Sequence, residues 1–378
     1  MDGARAPGLY IHIPFCSAKC GYCDFYSSAD TSLIPGFLDA LFSEMDLCRA
    51  EEKIDGFDTL YLGGGTPSLL TPVQIGSILE KAFHTFTILP GAEITVEMNP
   101  ADWSRRDLSA LRETGVNRVT IGVQSLDEGE LRFLGRRHDR RQALSAVEWA
   151  IAAGFDNIGV DLIYGLPGQG FGQWGSSLRQ ALELSPAHLS CYELELKPCT
   201  PLGLKYGQAE SGRRADGRAR EFFVKTSEIL EGSGYIHYEV SNFAAGMDRV
   251  SRHNRKYWDH TPYLGLGPSA HSFRGSRRWW NHASLRGYLA DLKERRRPIE
   301  GSEELEREQL ALEAMFLGLR TREGIDLEHY RRRYGRDLAG EKASTLREWI
   351  RSGLVRVRDG RVRPTLAGMA VADSLAAL

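Results

Sequence analysis

The sequence has no long apolar run, little net charge and few cysteines. No stretch approaches the roughly 20 consecutive apolar residues that cross a bilayer, and residues 1–8 are too short and polar for the core of a secretion signal. The 48 Lys and Arg nearly balance the 50 Asp and Glu, which excludes a general field recruiting nucleic acid or acidic membranes. Six cysteines in 378 residues are too few for a disulfide framework. We therefore expect a cytoplasmic protein without a nucleic-acid partner.

Three of the six cysteines lie close together in the sequence. Cys16, Cys20 and Cys23 follow a short apolar run at 9–15. Thiolates spaced by three and then two residues can bind one 4Fe-4S cluster from a tight loop, and three ligands leave one iron open for another molecule. Structural zinc needs four ligands, usually in two separated pairs, and the sequence has no second C-x-x-C. We therefore favour a cluster, and expect the other cysteines to be small buried residues, namely Cys48, Cys191 and Cys199.

Short runs of branched and aromatic residues alternate six times with amphipathic segments. The predicted strands are 9–13, 59–62, 93–98, 118–123, 157–163 and 188–194. The predicted helices are 37–48, 72–86, 108–115, 141–154, 174–184 and 219–232. Such alternation gives right-handed crossovers and a parallel α/β sheet, either open or curled toward a barrel, and periodicity alone does not choose between them. Six units are short of the eight that close a TIM barrel, so an incomplete (β/α)6 barrel fits.

The chain changes character after about residue 240. Residues 249–297 contain twelve Lys or Arg and only three acidic residues. Within them, residues 253–258 read H-N-R-K-Y-W, here called the HNxxYW motif. From 301 the pattern predicts helices near 310–319, 327–334 and 342–351, then a hairpin turning at Asp359-Gly360. We therefore expect a core at 1–240, a basic aromatic connector at 241–300 and a small winged-helix-like α+β domain at 301–378, in which DNA binding is not expected.

Polar and glycine residues follow the predicted strands. Residues 63–67 read G-G-G-T-P after the second strand, Glu97 ends the third, Gln124 ends the fourth, and Asp161 lies in the fifth. The carboxyl ends of parallel strands meet at one edge, where glycines let a ligand approach the backbone. Each polar residue could instead cap a helix or loop, but together with Arg136 they offer the carboxylate, amide and guanidinium groups that a charged ligand requires.

The C-x3-C-x2-C spacing resembles the signature of the radical S-adenosylmethionine (SAM) superfamily. In that family the open iron of the cluster binds SAM, and the core is a partial (β/α)6 TIM-like barrel. The wider set of motifs, including D-L-I-Y-G-L-P at 161–167, is similar to the oxygen-independent coproporphyrinogen III dehydrogenases and their relatives. This resemblance implies SAM contacts at Tyr10, Tyr22, Gly64, Gly65, Thr66, Glu97, Gln124, Arg136 and Asp161.

Two departures separate the chain from those dehydrogenases. Phe25 stands where they carry a fourth cysteine, and their extra N-terminal segment is missing before Tyr10. The pattern C-x3-C-x2-C-x-F and the HNxxYW motif resemble the HemW haem chaperones. That resemblance implies bound haem as cargo, delivery to recipient haemoproteins such as respiratory enzymes, and a possible homodimer.

The residues leave the haem ligand and the reaction open. His253 of the HNxxYW motif is a candidate axial ligand, with Tyr257 and Trp258 as flat apolar partners for a porphyrin. The rival histidines are His260, His271 and His282. Besides the chaperone, the resemblances leave two enzymes: a coproporphyrinogen III dehydrogenase performing a radical oxidative decarboxylation, and a radical SAM methyltransferase or haem-degrading relative.

Overall fold

One twelve-stranded sheet organises the computed structural model, which describes residues 5–52, 54–207 and 217–376. Its strands are β1 (Gly8–Ile13), β2 (Phe57–Gly64), β3 (Ile88–Met98), β4 (Arg118–Gln124), β5 (Ile158–Tyr164), β6 (His188–Glu193), β7 (Ile236–Glu239), β8 (Asn242–Ala244), β9 (Tyr263–Leu266), β10 (His271–Arg274), β11 (Arg277–Asn281) and β12 (Ile299–Glu304). The spatial order is β12-β11-β10-β9-β1-β2-β3-β4-β5-β6-β8-β7. Strands β9 and β1 to β6 run parallel.

The parallel strands and their helices form the expected partial barrel. The helices of this part include α1 (Ile34–Glu51), α2 (Pro72–Thr85), α3 (Arg105–Glu113), α4 (Glu128–Leu134), α5 (Arg140–Ala152), α6 (Phe171–Glu183), α7 (Arg218–Gly232), α8 (Arg252–Trp258) and α9 (Leu285–Lys293). All six predicted strand-helix units are present. Because β12 and β7 stand at opposite edges of the sheet, the barrel is open on one side.

Side chains alternate along the strands, which gives the sheet one apolar face and one polar face. On β1, Leu9, Ile11 and Ile13 are fully buried in the main hydrophobic core, which continues into α1 and α2. The residues between them, Tyr10 and His12, point to the opposite face, since successive strand side chains alternate. The helices therefore cover one side of the sheet, and the inside of the barrel is left to polar and aromatic groups.

Local capping signals fix where the helices begin. Thr71 caps α2, accepting a hydrogen bond from the backbone of Gln74, and Pro72 occupies the first turn. Ser104 caps α3 in the same way with Asp107. Among the described residues, no helix has both the length and the hydropathy needed to span a membrane.

Residues 241–300 extend the sheet, which differs from the expected connector. Strand β9 pairs with β1 in parallel, so Tyr10 stands beside Gly265. Strands β10, β11 and β12 then continue outward as antiparallel neighbours. Leu264 and Leu266 are fully buried in the same core as the strands of the first part. This segment is therefore an integral edge of the barrel sheet, and a boundary at residue 240 does not separate two packing units.

The last part of the chain has its own small core. Its elements are α10 (Arg307–Leu319), β13 (Ile325–Asp326), α11 (Leu327–Tyr334), α12 (Leu338–Glu341), α13 (Ala343–Arg351), β14 (Val355–Arg358), β15 (Arg361–Pro364), α14 (Leu366–Met369) and α15 (Ala372–Ala376). The sheet order is β13-β15-β14, and Asp359 and Gly360 turn the hairpin with positive φ angles of 52° and 69°. Three helices followed by a hairpin give the expected winged-helix-like arrangement.

Candidate functional site

A cavity of about 490 Å³ opens at the carboxyl ends of the barrel strands. Its walls are the loop that follows β1 and the ends of β2 to β6. The three motif cysteines line it together with eight of the nine residues expected to contact SAM: Tyr22, Gly64, Gly65, Thr66, Glu97, Gln124, Arg136 and Asp161. Residues spread from Cys16 to Asp161 therefore share one cavity because parallel strands end at the same edge.

The three motif thiols are half-buried and free. Cys16 Sγ lies 3.3 Å from Thr66 Oγ1, and Cys20 Sγ accepts a hydrogen bond of 3.3 Å from Arg136. Within the described part of the chain, no three His, Cys, Asp or Glu side chains are close enough to share a single metal ion. A cubic cluster has a different requirement, because it distributes its thiolates over separate irons. Cluster binding thus remains the interpretation that the spacing and the shared cavity favour.

The cysteine loop is tied down at both of its ends. The backbone N–H of Cys16 donates to Ser28 O at 3.0 Å, and that of Ser28 donates to Pro14 O at 2.6 Å. A Cβ at Gly65 would come within 2.6 Å of Phe15 O, so only glycine lets the second strand approach the start of the loop. Cys48 and Cys191 are buried as expected, whereas Cys199 is exposed, contrary to the expectation.

Two buried carboxyl groups face the cavity. Glu97 accepts hydrogen bonds from the Tyr61 hydroxyl at 2.7 Å and from Gly64 N–H at 3.2 Å. Burial raises the pKa of Glu97 to about 7, although these bonds oppose the shift. Burial likewise raises the pKa of Asp161 to about 6, against a hydrogen bond with Ser190. Both groups are therefore poised to ionise near neutral pH when a cationic ligand arrives.

Unsatisfied polar atoms in this cavity fit the groups of SAM. Asp161 Oδ1 and Arg136 Nε are both buried without a hydrogen-bond partner among the described residues. Buried polar atoms rarely lack partners, so these two leave hydrogen-bonding capacity for a polar ligand in this cavity. A carboxylate oxygen accepts from amino or hydroxyl groups, and a guanidinium donates to a carboxylate. The fit to a ligand carrying an amino group, a carboxylate and ribose hydroxyls is good.

Gln124 has an unusual backbone conformation at the cavity wall. Its φ angle is +66°, in the left-handed region that non-glycine residues rarely occupy. Arg136 donates to Gly122 O at 2.9 Å, two positions before Gln124 on β4. Strained residues of this kind concentrate at ligand sites, where the surrounding structure holds them. In contrast, Ser125 is buried, and its hydroxyl donates to Glu130 at 2.5 Å.

Tyr10 does not line the cavity. Its hydroxyl lies 3.2 Å from His12 Nδ1, and its ring packs deeper in the barrel, 6.1 Å from the Tyr61 ring. Tyr61 in turn donates to Glu97. Tyr10 therefore stands behind the cavity wall, and in this structure it lies one aromatic ring away from the carboxylate of Glu97.

The HNxxYW motif lies at the opposite end of the barrel from the cysteines. A Cβ at Gly8, the first residue of β1, would come within 3.0 Å of the His253 ring and 2.8 Å of Lys256. The motif forms α8, whose first backbone N–H groups donate to the carboxylate of Glu93. Lys256 Nζ donates to Asp58 at 2.5 Å and to Ala6 O at 2.6 Å. Helix α8 thus closes the amino-terminal end of the barrel as a plug.

The side chain of His253 lies inside this plug. It is fully buried, with Nδ1 2.8 Å from Thr59 Oγ1 and Nε2 3.0 Å from the Tyr257 hydroxyl. Burial also lowers its pKa to about 3. With both ring nitrogens occupied, the expected axial-ligand role is not supported by this placement. Its ring stacks on Tyr61 at 5.1 Å, which links the plug to the cavity wall.

Several site residues were missed from the sequence. Tyr192 lines the cavity from β6, where it pairs with Ile163, two positions after Asp161 on β5. Arg118 is 1% exposed on β4, where its charge acts on Asp161. The sequence did hold a signal for Arg118, because it is the first residue of a predicted buried strand. A buried charge needs polar partners, so its side chain was to be expected on the polar side of the sheet. Nothing in the local pattern distinguished Tyr192 from a core tyrosine.

Comparison with known proteins gives the family. The sequence matches the Radical SAM superfamily over residues 10–181 and the HemN C-terminal domain over residues 305–371. "Heme chaperone HemW" of Bacillus subtilis is 34% identical over 367 residues, covering 95% of both chains. The chain belongs to the HemW family. Membership of the radical SAM superfamily implies a 4Fe-4S cluster and SAM.

Other relatives and a solved structure agree with this placement. "Heme chaperone HemW" of Mycobacterium tuberculosis is 34% identical, covering 85% of this chain and 83% of its own. "Radical S-adenosyl methionine domain-containing protein 1, mitochondrial" of Bos taurus is 32% identical, covering 99% and 87%. The structure of coproporphyrinogen III oxidase (HemN) from Escherichia coli, a radical SAM enzyme, has a TM-score of 0.84 at 24% identity, covering 99% and 89%. This last likeness shows the shared fold.

Proposed function

We propose that the chain is a cytoplasmic haem chaperone that binds haem and delivers it to haemoproteins. The observation that carries the proposal is the 34% identity to "Heme chaperone HemW" of Bacillus subtilis over 95% of both chains. Haem is the cargo of this protein, and recipient haemoproteins, with respiratory enzymes as candidates, are its partners. We further propose that two copies associate while haem is carried.

The cluster and SAM site supports the carrier in this proposal. Cys16, Cys20 and Cys23 would hold the cluster, which supplies an open iron and one electron to SAM when both are bound. Arg136, Glu97 and Asp161 would hold the charged groups of SAM, because they bring a guanidinium and two carboxyls to one cavity. Glycines at 64 and 65 leave the backbone accessible beside the cysteine loop.

Phe25 supports a carrier over a decarboxylase. It replaces the fourth cysteine of the dehydrogenases, lines the cavity and leaves 65% of its surface exposed. An exposed phenyl ring at the cavity mouth offers apolar contact and cannot ligate a metal. Such a ring suits a surface that meets a flat apolar molecule or a partner protein.

The experiment that tests the proposal is a haem titration of the full chain with its cluster reconstituted anaerobically. We expect a saturable change in the Soret absorption with one haem per chain, and release of this haem to an apo-haemoprotein. In parallel, the protein receives SAM, a reductant and coproporphyrinogen III. Formation of protoporphyrinogen and 5'-deoxyadenosine would contradict the carrier and establish the decarboxylase; absence of haem binding would also contradict the carrier.

A further inference from the structure

Four histidines lie in or near the segment that carries the HNxxYW motif, and they differ in what their ring nitrogens contact. His253 and His260 are buried, and both nitrogens of each ring have partners: for His260, the Tyr334 hydroxyl at 2.8 Å and Glu313 at 3.1 Å. His282 Nε2 lies 2.9 Å from Asp291. His271 is exposed, and its ring makes no hydrogen bond to any residue in the described ranges. Of the four, His271 alone offers a whole imidazole edge to a metal.

His271 stands beside a flat aromatic surface. Its ring stacks on Trp280, its partner across β10 and β11, with centroids 6.0 Å apart and planes inclined by 30°. Trp280 lies flat over β12, because a Cβ at Gly301 would come within 2.5 Å of the indole ring. Trp280 is only half-buried. An imidazole next to a half-exposed indole provides a ligand atom and an apolar face, the two features that hold a porphyrin.

His271 lies close to β1, the strand that leads into the cysteine loop. A Cβ at Gly265 would come within 2.1 Å of His271 O, so the backbone of His271 lies directly over that strand position. Gly265 pairs with Tyr10 of β1, the strand that leads into the cysteine loop. Neighbouring strands are about 4.8 Å apart, so two strand steps put β10 about 10 Å from β1. A macrocycle at His271 would therefore lie two strands away from β1, level with Tyr10.

The protonation state of His271 suits a metal ligand. Partial burial lowers the pKa of His271, and the positive charge of Arg278 lowers it further. Both effects favour neutral imidazole, the form that ligates iron. Arg278 itself is engaged by Glu303 at 2.7 Å and Glu313 at 2.9 Å, so its charge stays in place beside the ring.

We propose that His271 is the axial ligand of the carried haem and that Trp280 packs against the porphyrin. This inference rests on the proposed haem-carrier function and names its binding residue. The iron gains one bond from an imidazole nitrogen and exchanges a water or other weak ligand, with no change in oxidation state. The exposed position of His271 on β10 leaves the opposite haem face free for transfer to a recipient.

The test is a haem titration of the cluster-loaded full chain, comparing His271→Ala, His271→Met and Trp280→Ala with the natural sequence. His271→Ala should shift the Soret band, abolish the nitrogen-ligand signature in electron paramagnetic resonance and raise the haem Kd at least about tenfold. His271→Met should give a sulfur-ligated spectrum. Trp280→Ala should weaken binding while the signature of a histidine ligand persists. The matched control is His329→Ala, another exposed histidine, which should leave spectrum and affinity unchanged.

The outcomes distinguish a failure of the assignment of His271 as the haem ligand from a failure of the haem-carrier function. If His271→Ala and His271→Met both retain the original spectrum and affinity, His271 is not the ligand, while the carrier function stands. If the natural sequence itself binds no haem, the carrier function fails first. Iron and sulfide content, measured on every variant, reports whether the cluster site has survived the substitution.

Discussion

Replacing His253 by alanine tests whether the HNxxYW motif is a structural plug. The substitution removes a fully buried ring that bonds to Thr59 at 2.8 Å and to Tyr257 at 3.0 Å. Each hydroxyl left without a partner in a buried site costs about 1–3 kcal/mol. Part of this cost is relieved when a hydroxyl rotates to another acceptor, while the cavity left by the ring adds to the loss. We expect a net destabilisation of about 3–5 kcal/mol.

Urea unfolding of the anaerobic, cluster-loaded protein measures this loss through the midpoint and slope of the transition. His329→Ala serves as the control, because that side chain is exposed and its removal should change stability by less than about 0.5 kcal/mol. A cycle with Thr59→Val should show a coupling of about 1 kcal/mol between Thr59 and His253. If His253→Ala keeps its stability but loses the haem spectrum, the plug is refuted and His253 is the haem ligand after all.

Three further predictions concern the cofactor site and the core. Because burial raises the pKa of Glu97 to about 7 and of Asp161 to about 6, both are mostly neutral at pH 5 and charged at pH 8. SAM carries a positive sulfonium, so its affinity should rise across this window, and a flat profile by calorimetry would argue against contact with these carboxyls. Glu44 accepts buried hydrogen bonds from Gly267 N–H, Asn281 and Tyr288, so Glu44→Ala should cost about 3–5 kcal/mol in urea unfolding. Glu44→Gln keeps the volume and one acceptor oxygen and should show a smaller but measurable loss; no loss at all would assign the effect of Glu44→Ala to volume and not to the hydrogen bonds of the carboxylate. Cys20→Ala should abolish the cluster while circular dichroism stays unchanged; undiminished iron and sulfide content would contradict cluster ligation by Cys20.

The six strand-helix units could be predicted because their signals are local. Branched residues in short runs, amphipathic segments between them, and caps such as Thr71 before Pro72 all act within a few residues. The short helix α4 was missed, since seven residues give little periodicity. Its flanking signals were present: Asp127 caps the start, and Gly135 ends it with a φ angle of 71°.

Strand β9 could not be predicted from its own residues. Tyr263–Leu266 is a short run with a glycine, and its partner β1 lies about 250 positions earlier in the chain. Pairing over such a distance is decided by tertiary packing and leaves no local pattern. The same holds for His253, because a motif of polar and aromatic letters does not show which of its members will be buried.

The cofactor site was more predictable than the cargo site. Eight of the nine residues expected from the resemblance share the cavity with the cysteines, since strand order fixes which ends meet. Haem ligation depends instead on which imidazole remains without a partner after folding. That property belongs to contacts such as His253 with Thr59, and these join residues 194 positions apart.

Transfer of haem is the most direct test of the carrier assignment. The cluster-loaded protein, saturated with haem and freed of excess by gel filtration, is mixed with an apo-haemoprotein whose holo spectrum is distinct. We predict that the recipient acquires its holo spectrum as the Soret band of the carrier declines, and that His271→Ala, which retains less haem through gel filtration, delivers correspondingly less. A carrier that binds haem without releasing it to any recipient, or that turns coproporphyrinogen III into protoporphyrinogen, would contradict the assignment.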